Sequence, residues 1–175
     1  MDDEILKKLS DTSLYEKIKK IRNIYNRLEK KQISFCNEFN IHCKEGCGEC
    51  CEHFTPDITE IEALFLAYGL IKENKDQDII NLLDSKEESD NYCPLYNKDS
   101  VYHCSVYKWR PLICRLFGAS ASKDKNGNPT FRKCKWNTEG HDITKEEFEE
   151  MIDEYKPGIA AYQSLIDDVY AAKGN

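Results

Sequence analysis

No apolar run in the 175-residue sequence approaches the ~20 residues that cross a bilayer, so no membrane span is expected. The chain opens on Met1-Asp2-Asp3-Glu4, acidic where a signal peptide is basic and then apolar, so export is not expected either. Internal repeats and low-complexity tracts are missing. So are a phosphate loop and a nucleophile–histidine–aspartate order, and no catalytic residue is assigned. Nine cysteines amount to about 5% of the chain, short of the ~8–10% of small secreted disulfide scaffolds. These absences favour a reducing, cytoplasmic setting. There, grouped cysteines hold metal or do redox chemistry more often than they form structural disulfides. What is present suffices for a core: 40% of residues are hydrophobic and 11% aromatic, which excludes wholesale disorder.

Charge is segmented. The net charge is −7, yet residues 91–136 carry nine basic and two acidic side chains. That block holds Cys93, Cys104, Cys114 and Cys134. Metal-bound thiolates there would add negative charge, and Lys98, Lys108, Arg110, Arg115, Arg132, Lys133 and Lys135 would offset it. A nucleic-acid footprint is the rival reading, and the acidity of the whole chain argues against it.

The N-terminal third predicts a long helix. Ser13 and Glu16 have capping-box spacing, and Leu14, Ile18, Ile21, Tyr25, Leu28, Gln32, Phe35 and Phe39 recur at steps of three and four. That stripe packs on the domain or forms an intermolecular coiled-coil seam to a protein partner. Asp2 to Leu9 forms a short helix or a frayed arm. A helix is expected from Asp57 to a stop at Gly69, and another over Asp76–Asp84. The polar link Ser85–Asn91 is expected to be exposed.

Residues 92–107, with β-prone pieces around Asn97-Lys98-Asp99-Ser100, predict a first hairpin. Leu112–Arg115 reads as one helical turn. Asn126-Gly127 predicts a second hairpin that returns onto Pro129–Cys134. Thr144 and Glu147 cap a helix carrying Phe148, Met151, Ile152 and Tyr155. Pro157 opens a last one with Ile159, Tyr162, Leu165, Ile166 and Val169. The expected fold is α+β, mostly α: a helical body with a long N-terminal helix and two short β-hairpins around a metal centre. Its parts are an N-terminal helical segment (1–40), a cysteine-cluster domain (41–136, with helices 57–84 inserted) and C-terminal helices (137–175) on the same domain.

The densest chemistry is Cys43-Lys44-Glu45-Gly46-Cys47-Gly48-Glu49-Cys50-Cys51, four thiols within nine residues. Thiolates two or three residues apart on a glycine-containing turn can converge on one metal. Cys93, Cys104, Cys114 and Cys134 would come to it from the two hairpins, tying the middle of the chain to its later third. Cys50 and Cys51 are adjacent, so their side chains are expected to diverge. Cys36 beside the apolar helix face reads as a packed thiol. His42 and His53 bracket the loop as surface or capping residues, and His103 should face away from Cys104 on its strand. Tyr102, Tyr107, Trp109 and Trp136 are expected to form the core that shields the site. Glu45, Glu49 and Glu52 read as loop-solvating groups.

The series Cys43, Cys47-Gly48-Glu49-Cys50-Cys51, Cys93-Pro94-Leu95, Cys104-Ser105-Val106-Tyr107, Arg110-Pro111-Leu112-Ile113-Cys114-Arg115 and Cys134 resembles the CxxCxxCC cysteine-cluster family. This family is also called YkgJ-like and described as a zinc- or iron-chelating domain. The resemblance covers about residues 43–134. It departs at the first step, where three residues rather than the usual two separate Cys43 from Cys47. It implies metal binding and no particular reaction. Larger relatives, the flagellin lysine methylases, join such a domain to a methyl-transfer activity, so an accessory role to a redox or methylation system is a reading the resemblance leaves open.

The spacing Cys43-x3-Cys47-x2-Cys50 also imitates the radical-SAM motif, but the strand–helix alternation of its barrel is missing. An all-sulfur donor set suits zinc or an iron–sulfur cluster. A [4Fe–4S] cluster is favoured, for a redox or enzyme-associated role; two four-cysteine zinc sites in a structural or interaction module are the alternative.

Overall fold

The computed structural model describes residues 3–42, 47–85, 92–117, 119–123, 125–126, 129–134 and 144–171. Cys43, Trp136 and most of the Ser85–Asn91 link lie outside them, as do the side chains of Phe148, Met151, Ile152, Tyr155 and Val169. Among these residues the α-helices are, in order, α1 (Glu4–Lys8), α2 (Ser13–Glu38), α3 (Glu49–Glu52), α4 (Glu60–Lys72), α5 (Asp76–Asp84), α6 (Leu112–Leu116) and α7 (Lys145–Ala171). A 3-10 turn spans Tyr107–Trp109, and β1 (Ala119–Lys123) pairs antiparallel with β2 (Pro129–Lys133).

The long helix forms as its periodicity dictates. Ile18, Ile21, Tyr25, Leu28, Gln32 and Phe35 are all buried, and the N-cap is Thr12 rather than Ser13. The stripe is covered within the chain, by α4 and α7, and not left as an intermolecular seam. One apolar cluster joins Leu6, Ile18, Ile21, Tyr25, Leu28, Ile61, Phe65, Tyr68, Trp109 and Leu165.

Helix α4 starts three residues later than Asp57. The Thr59 N–H and hydroxyl both donate to Glu62 Oε2, at 2.8 and 2.9 Å, so Thr59 rather than Asp57 ends the helix. Gly69 does not stop α4. It lies inside it because Trp109 packs directly on its Cα: a Cβ built there would sit 2.0 Å from the indole. Helix α5 covers the expected residues.

The α+β expectation is corrected: the chain is a helical protein. Residues 92–107 form no hairpin. Asn97, Ser100 and His103 spend their hydrogen bonds on consecutive tight turns, with Ser100 N–H to Asn97 O at 3.1 Å and His103 N–H to Ser100 O at 3.0 Å. The pairing there is one isolated bridge, Tyr96 to Cys104, flanked by Asn97 N–H to His103 O and Ser105 N–H to Leu95 O, both at 3.0 Å, and it extends into no strand. The short β1–β2 ladder, five residues a side, is too small to form a layer against the helices. The two C-terminal helices are one, with Pro157 inside α7. Proline removes one backbone donor, but its ring is exposed, and Tyr162, Leu165 and Ile166 hold the following turns on the core. Among the described residues no helix is long and apolar enough to cross a membrane.

Candidate metal centre

The site is assembled on three short pieces. In the first, Gly48 caps the one-turn helix α3: its carbonyl accepts from the N–H groups of Cys51 (2.9 Å) and Glu52 (3.0 Å). In the second, the Cys93 N–H donates to the Cys51 carbonyl at 2.9 Å, so the two cysteine stretches are joined backbone to backbone. Tyr96 N–H then turns back to Cys93 O at 2.9 Å, and the bridge to Cys104 closes the turn. Cys104 packs beside Leu70, Ile79 and Val106. In the third, Pro111 precedes α6, which carries Cys114.

The Sγ atoms of Cys50 and Cys51 lie 3.9 Å apart, against the expectation that they diverge. On a helical turn successive side chains are only about 100° apart, not opposite as on a strand, so suitable rotamers bring neighbouring sulfurs together. Cys47, Cys50, Cys51, Cys93, Cys104, Cys114 and Cys134 are half-buried free thiols. Cys134 directly follows β2. Among the described residues the one trio with ligand atoms within 4.8 Å of one another is Glu49, Glu52 and His53 on the surface. Cys50 and Cys51 are in contact and Cys93 is joined to Cys51 through the backbone, but among the described residues no three thiols close into a coordination shell.

Electrostatics ties five of them together. The thiol hydrogen bond from Cys51 lowers Cys50 to about 6 despite burial, with help from backbone N–H groups and the charge of Arg110. Cys51 moves upward, first because it donates to Cys50, then through burial and the negative charges of Cys50, Cys104 and Cys93. Burial raises Cys104, with Cys93 and Cys50 adding to it. Burial also pushes Cys114 up to about 12, again with Cys93, Cys104 and Cys50 contributing. Arg110 opposes the rise at both Cys104 and Cys114. Its guanidinium stacks 3.9 Å from the Tyr107 ring centroid and donates to Tyr107 O at 2.7 Å. Of the basic residues expected to offset thiolate charge, Arg110 acts on Cys50, Cys104 and Cys114, and Arg115 feels the charge of Cys114 as well.

Arg115 is used differently. Its side chain is buried and donates to the carbonyls of Arg110 (2.9 Å) and Lys108 (2.7 Å) and to Glu29 (3.2 Å), above the ring of Tyr25. His103 does not face away from the site. It adopts a left-handed φ of 51° and lies against Gly48, where a Cβ would come within 2.4 Å of its ring. His42 bonds Asn40 at 3.1 Å on the surface, and His53 lies 3.6 Å from Glu49. Cys36 packs with Phe35, Phe39 and Ile41, and burial raises its pKa. Trp109, expected to shield the site, packs instead into the helical core against Gly69, Phe65 and Tyr68, and Tyr102 is exposed and stacks on Tyr107 at 4.1 Å.

A helical chain that brings free thiols from separate stretches beside one arginine defines a cysteine-cluster protein. The model of the CxxCxxCC family, described as a putative zinc- or iron-chelating domain, matches residues 42–151, and the chain belongs to that family. The match reaches past Cys134 into the first turns of α7. No curated protein and no solved structure matches the chain. Sequence reasoning missed α3, the inward His103 and the buried Glu62. The Thr59–Glu62 pair, which has capping-box spacing, was the available signal for the last.

Proposed function

We propose that the chain binds zinc or iron through Cys43, Cys47, Cys50, Cys51, Cys93, Cys104, Cys114 and Cys134, and that its resident group is an iron–sulfur cluster, [4Fe–4S] by preference. The observation that carries the reading is the Cys93 N–H on the Cys51 carbonyl, which joins two cysteine stretches 42 residues apart at the point where thiols feel one another's charge. The donor chemistry fits: sulfur ligands suit thiophilic metals, and Arg110 compensates the charge that thiolates bring. When bound, such a cluster exchanges single electrons, which suits a redox or enzyme-associated role in a reducing, cytoplasmic setting. The chain's own part is to hold the sulfurs, partly dry, beside a fixed cation.

Anaerobic purification followed by iron, sulfide and zinc quantitation tests this. Iron with sulfide, and visible absorption that bleaches with dithionite, is the expected result. A colourless protein carrying zinc alone would overturn the cluster and leave the second reading, a zinc-stapled structural module. The number of thiols favours that alternative to this extent: eight would complete two closed four-coordinate zinc sites.

A further inference from the structure

Among the described residues one carboxylate is buried: Glu62, at 5% exposure, where α2, α4, α6 and α7 meet. Its Oε2 accepts the N–H and hydroxyl of Thr59, and the Thr59 hydroxyl lies 3.2 Å from Tyr162 OH on α7. Its Oε1 accepts the Tyr25 hydroxyl at 2.8 Å and the Leu112 N–H at 2.8 Å. Leu112 N–H is the first donor of α6, one of those a helix cannot satisfy internally. The carboxylate thus caps two helices at once, and the second carries Cys114 two residues on. Arg115 closes the same segment, its forked guanidinium holding the carbonyls of Lys108 and Arg110.

We propose that Glu62 is a positioning residue of the metal centre, fixing α6 and so the Cys114 sulfur, with Arg115 as its counterpart. The inference rests on the metal-binding reading above. Its chemistry is specific. All four bonds to Glu62 require acceptors, two on each oxygen, and an amide offers one acceptor oxygen only. Glu62→Gln keeps shape and volume, and the Thr59 or Tyr25 hydroxyl can turn to accept from its NH2, but the backbone N–H on that side, of Thr59 or of Leu112, then faces a donor and loses its bond. Arg115→Lys keeps the charge but replaces the planar fork with a point charge.

The test is Co(II) binding by the full chain, followed by thiolate-to-cobalt absorption and by competition with a chelator, for wild type, Glu62→Gln and Arg115→Lys. Thermal melts of the metal-free proteins run alongside. The expectation is a cobalt affinity lower by about tenfold or more in both variants, the range found when groups that orient metal ligands are removed, together with a shifted cobalt spectrum at saturation. If Glu62→Gln fails to fold, Arg115→Lys decides by the same readouts. Variants that melt earlier yet bind cobalt with wild-type affinity and spectrum would overturn the inference alone, leaving Glu62 a purely structural group. A wild-type chain that takes up no cobalt at its thiols would overturn the metal-binding reading, and this inference with it.

Discussion

Gly69 shows how one residue decides a local arrangement. The indole of Trp109 occupies the place of a side chain there, edge-on to Tyr68 and Phe65, with its N–H on Glu73 at 2.8 Å. Gly69→Ala gains helix propensity of about 1 kcal/mol but must push the ring away, and overpacking costs typically ~1–3 kcal/mol. A net loss of stability in urea melts is expected, larger than for Ala at an exposed glycine. At the same scale the sequence made the cysteines legible as a set, because thiols in a reducing chain have few reasons to cluster. It hid His103 and the Cys50–Cys51 contact. Both depend on backbone dihedrals: a left-handed φ at His103, where a strand is expected, and a helical turn at Cys50–Cys51, where adjacency alone predicts divergence.

At the scale of elements, α2 and α5 were readable because their apolar spacing is helical and matches what the core needs. The 92–107 segment was not. Its β-prone residues are real, but the pairing stops at the one bridge of Tyr96 with Cys104 and its two flanking bonds, because tight turns at Cys93–Tyr96, Asn97–Ser100 and Ser100–His103 take the other hydrogen bonds. Pro157 misled in the other direction: its preference for a first helical turn predicted a break, and tertiary packing on α2 carried α7 straight through. Helix α7 therefore lacks one backbone hydrogen bond that Ala would restore at an exposed position. Pro157→Ala is expected to raise the melting temperature, proline being ~3 kcal/mol worse than alanine in a helix interior. A lower melting temperature would mean that the local geometry Pro157 sets, next to Gly158 packed on Leu28, is itself required.

At the scale of the molecule, the chain closes on itself through its first residues. Asp3 caps α1, accepting from Leu6 N–H at 3.2 Å, and its other oxygen takes the Tyr68 hydroxyl and the Lys72 ammonium of α4. Burial alone would raise the Asp3 carboxyl, but those hydrogen bonds and the charge of Lys72 hold it down to about 2. The sign follows: a carboxyl depressed on folding adds stability above its ordinary pKa of 3.8, and that share is lost as pH falls toward 2. Wild type should lose stability to urea between about pH 4 and pH 2 more steeply than Asp3→Asn. Parallel pH curves would remove Asp3 from the account of how α1 docks.

The same closure gives the centre its logic. The apolar core of α2, α4 and α7 contains no cysteine, and Cys50, Cys51, Cys93, Cys104 and Cys114 sit on short turns and one-turn helices between the long ones. Metal content measured on Cys50→Ser, Cys104→Ser and Cys36→Ser, each purified anaerobically beside wild type, puts that arrangement to the most direct trial. Loss of bound zinc or iron in the first two, drawn from different stretches, with full loading in Cys36→Ser, is the predicted result. Wild-type loading in both Cys50→Ser and Cys104→Ser would contradict a centre shared between the two stretches.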